Sequence, residues 1–242
     1  MRQPLRQVLL TALTLISMPV PAAAQNDFGH TEIIVTASRR SDDEFDASVP
    51  ATGLRRVADF AVQRLAVRGD TRDPERRREE LYGTVRAALE LAGRSGGQIQ
   101  LAYGSTVVQS LTLANYPGLT LGKDDRPDTN KVELLVKSPL DGRSDAKAAL
   151  TRIQAFLKAV PLQGRALVEP VGDLTLSVVT PDQYRPQIIG LIADDAAKAA
   201  GRFGPDYAVE VRGIERPVEW TRASLTEVLL YLPYQLTVTP RR

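Results

Sequence analysis

The most regular alternation of apolar and polar positions lies in residues 227–238, close to the C-terminus. Every second residue on one face is apolar, namely Val228, Leu230, Leu232, Tyr234, Leu236 and Val238. This period of two predicts a strand with one buried face, about 40 Å long at roughly 3.4 Å per residue. Pro233 has no N–H group for the ladder, so we expect the strand to lie at a sheet edge or to contain a bulge.

The other face of this predicted strand also carries apolar side chains, Leu229 and Tyr231. An edge strand that is apolar on both faces tends to pair with another chain. We therefore expect a homo-oligomer with Leu229 and Tyr231 in the contact.

Apolar residues spaced three and four positions apart predict three helices. We place the first after Asp73 and the second after Ser144, because both residues can cap a helix N-terminus. The third begins at Thr180 or at Pro186. Strand-like segments lie between them, at residues 58–68, 98–103, 106–113, 131–136, 167–169, 174–178, 207–211 and 217–222. Neighbouring strands are linked too closely for parallel pairing, which predicts an α+β fold: largely antiparallel sheets with amphipathic helices packed on one face.

Residues 31–38 read Thr-Glu-Ile-Ile-Val-Thr-Ala-Ser and are as rich in β-branched residues as a typical strand. Two interpretations stay open. The segment is the first strand of the domain, or it donates a strand to a partner's sheet edge through Ile33, Ile34 and Val35, because it resembles the TonB box of TonB-dependent outer-membrane receptors. We favour the domain strand, since short apolar runs are common and no long barrel follows.

The N-terminus has the three parts of an export signal. Arg2 and Arg6 precede an apolar run over residues 8–20, and Ala22-Ala23-Ala24 supplies small residues for cleavage. We expect residues 1–24 to be a signal peptide cleaved after Ala24, which places the mature protein in the periplasm without a transmembrane segment. The remainder divides into an N-terminal strand and polar loop, residues 25–57, and an α+β domain, residues 58–239.

Composition narrows the classes of function. Removing Arg2 and Arg6 from the 31 basic residues leaves 29, which balances the 29 acidic residues. A neutral mature chain gives no reason to expect nucleic acid as a partner. The chain has no cysteine, which excludes a thiol nucleophile and a thiolate metal site. His30 is the sole histidine and lies near the mature N-terminus, so it offers no realistic catalytic triad or histidine metal centre.

Carboxylates are the remaining candidates for chemistry. Asp124, Asp125 and Asp128 are clustered, but the segment lacks the glycine and the terminal glutamate of a calcium-binding loop. We expect no metal and no cofactor. A periplasmic hydrolase that uses two carboxylates is the third hypothesis, because sequence alone does not show which carboxylates converge.

The order of elements, in an exported chain of this size, resembles the SIMPL-domain family of bacterial periplasmic and envelope proteins. The resemblance rests on Ile33-Ile34-Val35-Thr36, on residues 60–92 and above all on residues 184–213, whose helix is rich in alanine. Ala37-Ser38-Arg39-Arg40 departs from the glycine-containing turn of the family, and the loop over residues 41–56 is long.

The resemblance implies a SIMPL-like fold, a role in envelope or oxidative-stress protection and, as in some members, assembly into large ring-like oligomers. It carries over no catalytic residue. We therefore expect a non-enzymatic exported envelope protein that acts by self-assembly or by binding an envelope protein. The alternative is a partner-recruiting module that donates residues 31–38 as a strand.

Overall fold

The computed structural model describes residues 32–35, 50, 52–105, 107–124, 126, 128–141 and 146–241. The predicted signal peptide, His30, Asp125 and Ser144 lie outside these residues. The helices are α1 (Pro74–Gly93), α2 (Ala146–Ala159) and α3 (Arg185–Phe203). The strands are β1 (Glu32–Val35), β2 (Leu54–Val57), β3 (Phe60–Gly69), β4 (Gln100–Tyr103), β5 (Gln109–Ser110), β6 (Gly122–Lys123), β7 (Asn130–Pro139), β8 (Leu167–Val179), β9 (Tyr207–Arg212), β10 (Glu219–Arg222), β11 (Glu227–Tyr231) and β12 (Gln235–Pro240).

The largest sheet is antiparallel and curls into half a barrel. Its path runs β1-β8-β3-β7-β4-β5, and β6 pairs with β7. An isolated bridge joins the two ends of this path, with the Val108 N–H donating to the Glu32 carbonyl at 3.4 Å. The sheet therefore has an outer face, which the helices cover, and an inner face inside the curl.

Two hydrophobic clusters cover the outer face of the half-barrel. In the first, α1 and α2 pack on β3, β4 and β7, with Leu81, Val85 and Ile153 fully buried. In the second, Ile188 and Ile192 of α3 and the strand β11 pack on β1 and β8. Every strand pair in the described part of the chain is antiparallel. The α+β prediction, with antiparallel sheets and helices on one face, is confirmed.

The helix α1 starts where the residues near its N-terminus predicted. The Asp73 carboxylate accepts a hydrogen bond from the Arg76 N–H at 2.7 Å, and Pro74 follows as the first helical residue. Both features occur within a few residues of the helix end, so the sequence alone predicts them. The helix ends at Gly93, as expected.

The prediction of one long strand over residues 227–238 was wrong. The chain forms β11 before Pro233 and β12 after it, and the two strands belong to different sheets. β11 lies between β10 and β2, so it is a central strand. Only β12 fits the edge prediction, since it pairs with β9 alone in the described chain. Pro233 thus ends a strand here, because it cannot continue the β11 ladder.

Two smaller predictions also need correction, and one alternative that the sequence left open is decided. Residues 54–57, predicted as loop, form β2. Residues 167–179 form one strand, β8, where two short ones were predicted. Of the two starts considered for the third helix, the structure has a separate first turn: Pro181–Tyr184 is a 3₁₀ helix, and α3 begins at Arg185. Thr180 makes no side-chain cap.

The register of β3 against β8 shifts between Val62 and Arg64, where β8 carries extra residues. The buried Gln63 amide donates to the carbonyls of Arg64, Val171 and Gly172 at 3.1 to 3.2 Å. These bonds join the buried Gln63 side chain to the backbone of both strands at the register shift.

Gly213 packs closely against the break at Pro233. Its φ is +92°, and an added Cβ would lie 2.5 Å from the Pro233 carbonyl oxygen. We expect Gly213→Ala to cost about 2 kcal/mol and to lower the unfolding midpoint by about 4–8 °C in thermal melts. Gly190→Ala is the matched control. Gly190 is an exposed residue of α3, and an added Cβ there meets nothing within 4 Å. Alanine also favours a helix over glycine. Equal melts for the two variants would contradict this prediction.

Candidate functional site

The three residues predicted for strand donation lie in β1. This strand pairs with β8 from Glu32 opposite Val179 to Val35 opposite Leu176. Ile33 and Val35 are buried in the core, at 6% and 2% exposure, while Ile34 is half-buried on the inner face. Residues 32–35 are therefore a strand of the domain's own sheet, as the favoured interpretation predicted.

The structure does not bring Leu229 and Tyr231 to an open edge. Both lie in β11, where Leu229 stands opposite Arg55 on one neighbour and Thr221 on the other. Tyr231 is only 5% exposed, and Leu229 is half-buried. We expected a contact there because we predicted an edge strand that is apolar on both faces. Since β11 is a central strand, that argument for a contact does not hold.

The helix α3 packs on the two-stranded sheet of β9 and β12, and we call these three elements the C-terminal layer. The register of β9 and β12 puts Val209, Val211, Leu236 and Val238 on one face of this two-stranded sheet. All four side chains are only half-buried. The buried residues of α3 are Ile188 and Ile192, both in its first half. The C-terminal layer therefore leaves part of its apolar face exposed.

The outer edge of β12 is the least protected strand edge in this layer. Residues 235–239 read Gln-Leu-Thr-Val-Thr and carry no charge. The neighbouring β9 instead carries an ion pair, Arg212 to Glu210 at 2.7 Å. Natural edge strands usually carry charges that prevent pairing with another chain. The uncharged edge of β12 is our candidate functional site, a surface for strand pairing.

Tyr234 holds this edge in position. Its hydroxyl donates to the Asp195 carboxylate on α3 at 3.0 Å. Burial, and then the nearby Asp195 carboxylate, raise the pKa of Tyr234, so the phenol stays protonated and keeps donating this bond at neutral pH. The bond ties the segment between β11 and β12 to α3. β12 is thus presented on an anchored support.

The inner face of the half-barrel contains a second unusual arrangement, a buried charge cluster of Lys137, Glu32 and Ser177. The Lys137 ammonium forms an ion pair with the Glu32 carboxylate, and the Ser177 hydroxyl donates to the other Glu32 oxygen at 2.6 Å. The ammonium also lies 4.0 Å from the centre of the Phe60 ring. The three residues of the cluster come from β7, β1 and β8, and Phe60 beside them comes from β3, so four strands meet here. A cavity of about 430 Å³ opens beside it.

A serine and a lysine near one carboxylate invite comparison with hydrolytic sites. A serine nucleophile needs a base that accepts its proton. Here the Ser177 hydroxyl points to Glu32, whose charge is already neutralised by Lys137. Lys137 is 4% exposed and stacks on Phe60. This geometry satisfies a buried charge, and we assign the cluster the role of holding β1 in the sheet.

Among the described residues, no group of three or more His, Cys, Asp or Glu side chains is arranged to hold a metal ion. The Asp124 carboxylate, a residue of the acidic segment, instead accepts from the Arg68 guanidinium at 3.2 Å. It therefore acts as the partner of a strand arginine.

No helix in the described ranges combines the length and apolar character needed to cross a membrane.

No protein-family model matches the chain, and no curated protein matches it.

Proposed function

We propose that the protein is a non-enzymatic, exported envelope protein that acts by self-assembly, and that the edge of β12 is its contact surface. The observation that carries the proposal is the uncharged edge of β12 beside a half-buried apolar face. Unpaired backbone N–H and C=O groups along such an edge form hydrogen bonds readily with another strand. Association through this edge would also cover apolar surface that the C-terminal layer leaves exposed.

The alternatives receive less support from the geometry. Strand donation by residues 31–38 would require β1 to leave β8 and to expose Ile33 and Val35. A hydrolase would require a base that is free to take a proton, whereas the Glu32 carboxylate is ion-paired with Lys137. A SIMPL-like fold and a role in envelope or oxidative-stress protection belong to the proposal through the family resemblance.

The proposal predicts assembly of the mature protein, residues 25–242, at tens of micromolar in size-exclusion chromatography with light scattering. Thr237→Lys combined with Thr239→Lys should reduce the mass in solution, because both side chains are exposed on β12 and the added charges repel a second strand. Circular dichroism should show that the double variant stays folded.

A matched control adds the same two charges elsewhere. Thr120→Lys with Thr151→Lys alters exposed positions outside the C-terminal layer and should leave the mass unchanged. A wild-type protein that stays monomeric at these concentrations would overturn the proposal. The same conclusion would follow if the β12 variant assembled as well as the control.

A further inference from the structure

We infer that the partner of β12 is the same strand of a second copy of the chain, paired antiparallel about a two-fold axis at Thr237. The inference rests on the proposed function and adds the partner strand and the register. The argument begins with the faces of β12, because residues directly opposite one another in an antiparallel pair lie on the same face of the sheet.

An axis at Thr237 makes β12 complementary to itself. Thr237 then lies opposite Thr237 of the second copy, and Gln235 lies opposite Thr239, all on the polar face. Leu236 lies opposite Val238 on the apolar face. Threonine pairs and apolar pairs across antiparallel strands are favourable, and no like charges meet. A contact that uses the same patch on both copies is the usual basis of a closed dimer.

Other registers are worse for identifiable reasons. An axis midway between two residues places Leu236 opposite Thr237, so the apolar face of one copy would continue as the polar face of the other. An axis at Val238 places Pro240 opposite Leu236, and Pro240 has no N–H to donate. An axis at Leu236 pairs only residues 235–237 of β12, because the strand begins at Gln235. The axis at Thr237 alone pairs residues 235–239 in full between the two prolines.

Joining the two sheets would also stabilise the C-terminal layer. A two-stranded sheet is marginally stable by itself, whereas four strands with packed helices are of ordinary size. α3 packs mainly on β9 and less on β12, which leaves Leu236 and Val238 half-buried in one copy. In the paired arrangement these residues contact their counterparts across the axis.

Disulfide trapping tests the register directly, because the chain has no cysteine of its own. In the inferred dimer the two Cα atoms at position 237 are separated by about 4.5–5.5 Å. This separation lies within the range of about 4.4–6.8 Å that a disulfide spans. Thr237→Cys should therefore give a covalent dimer on mild oxidation, resolved on a non-reducing gel.

Gln235→Cys and Thr239→Cys are matched controls on the same exposed face. Each lies four residues out of register with its own counterpart, about 14 Å away along the strand at roughly 3.4 Å per residue. Each alone should form at least tenfold less covalent dimer than Thr237→Cys. An equal mixture of the two should form a mixed dimer, because Gln235 and Thr239 face each other across the axis.

The mixed dimer does not depend on position 237, so it tests the register even if Thr237→Cys perturbs the strand. If the wild-type protein assembles through β12 but neither trap exceeds the single controls, the inferred register is wrong and the proposed function stands. If the wild-type protein is monomeric and no trap forms, both fail.

Discussion

Replacing Lys137 with methionine should lower the unfolding midpoint by about 10 °C. The substitution leaves the Glu32 carboxylate buried without its cation, since Glu32 is only 8% exposed. Removing one partner of a buried ion pair typically costs about 3–5 kcal/mol. For a domain of this size each kcal/mol shifts the midpoint by about 2–4 °C. Thermal melts followed by circular dichroism measure this shift.

Two further variants separate charge burial from simple loss of packing. Lys131→Met alters the same face of β7, where the lysine is 28% exposed and pairs with Glu133 at 3.2 Å. Because half-exposed pairs contribute about 1 kcal/mol at most, its midpoint should move little. Glu32→Gln added to Lys137→Met should recover much of the loss, since it removes the unpaired charge and keeps an acceptor for Ser177. Equal shifts for Lys137→Met and Lys131→Met would contradict the prediction.

The sequence was informative wherever structure depends on near neighbours. Asp73 and Gly93 bound α1 as predicted, because caps act within one turn of the helix. The buried face of β11 also followed from alternation, since Val228 and Leu230, and Leu232 directly after the strand, are fully buried. Both predictions use only spacing along the chain.

The errors arise where distant segments decide the outcome. Pro233 indicated an edge or a bulge, but whether the strand continues past it depends on Gly213 and on the partners β2, β9 and β10. The uncharged run between Pro233 and Pro240 was visible in the sequence. Because we placed this run and Leu229 in one long strand, we expected the open edge near Leu229. The open edge instead belongs to β12, in the second half of the predicted strand.

The buried charge cluster could not have been found from sequence. Glu32 lies 105 positions from Lys137 and 145 from Ser177. The chain has 29 acidic and 31 basic residues, and nothing in their local spacing singles out this pair for burial. The same applies to β2, a short strand that reads as loop and forms because β11 supplies its partner. Tertiary context decides both.

The last prediction tests whether β1 is a structural strand or a mobile strand donor, and it uses two neighbouring residues that point to opposite faces. Val35→Asp places a carboxylate among the apolar side chains of the core, where Val35 is 2% exposed. An unpaired buried charge costs several kcal/mol. We expect the unfolding midpoint to fall by about 10 °C or more.

Ile34→Asp is the matched control one residue away. Ile34 is half-buried and lines an open cavity of about 340 Å³ whose lining also includes Arg64 and Asp173, so the new carboxylate faces a cavity with charged groups and not the apolar core. Its midpoint should fall by less than about 4 °C, consistent with a cost near 1 kcal/mol. If residues 31–38 were instead a mobile donor, neither substitution would change the melt, because neither side chain would be buried in the folded domain. Unchanged melts for both variants would therefore favour strand donation to a partner over the domain strand that β1 forms with β8.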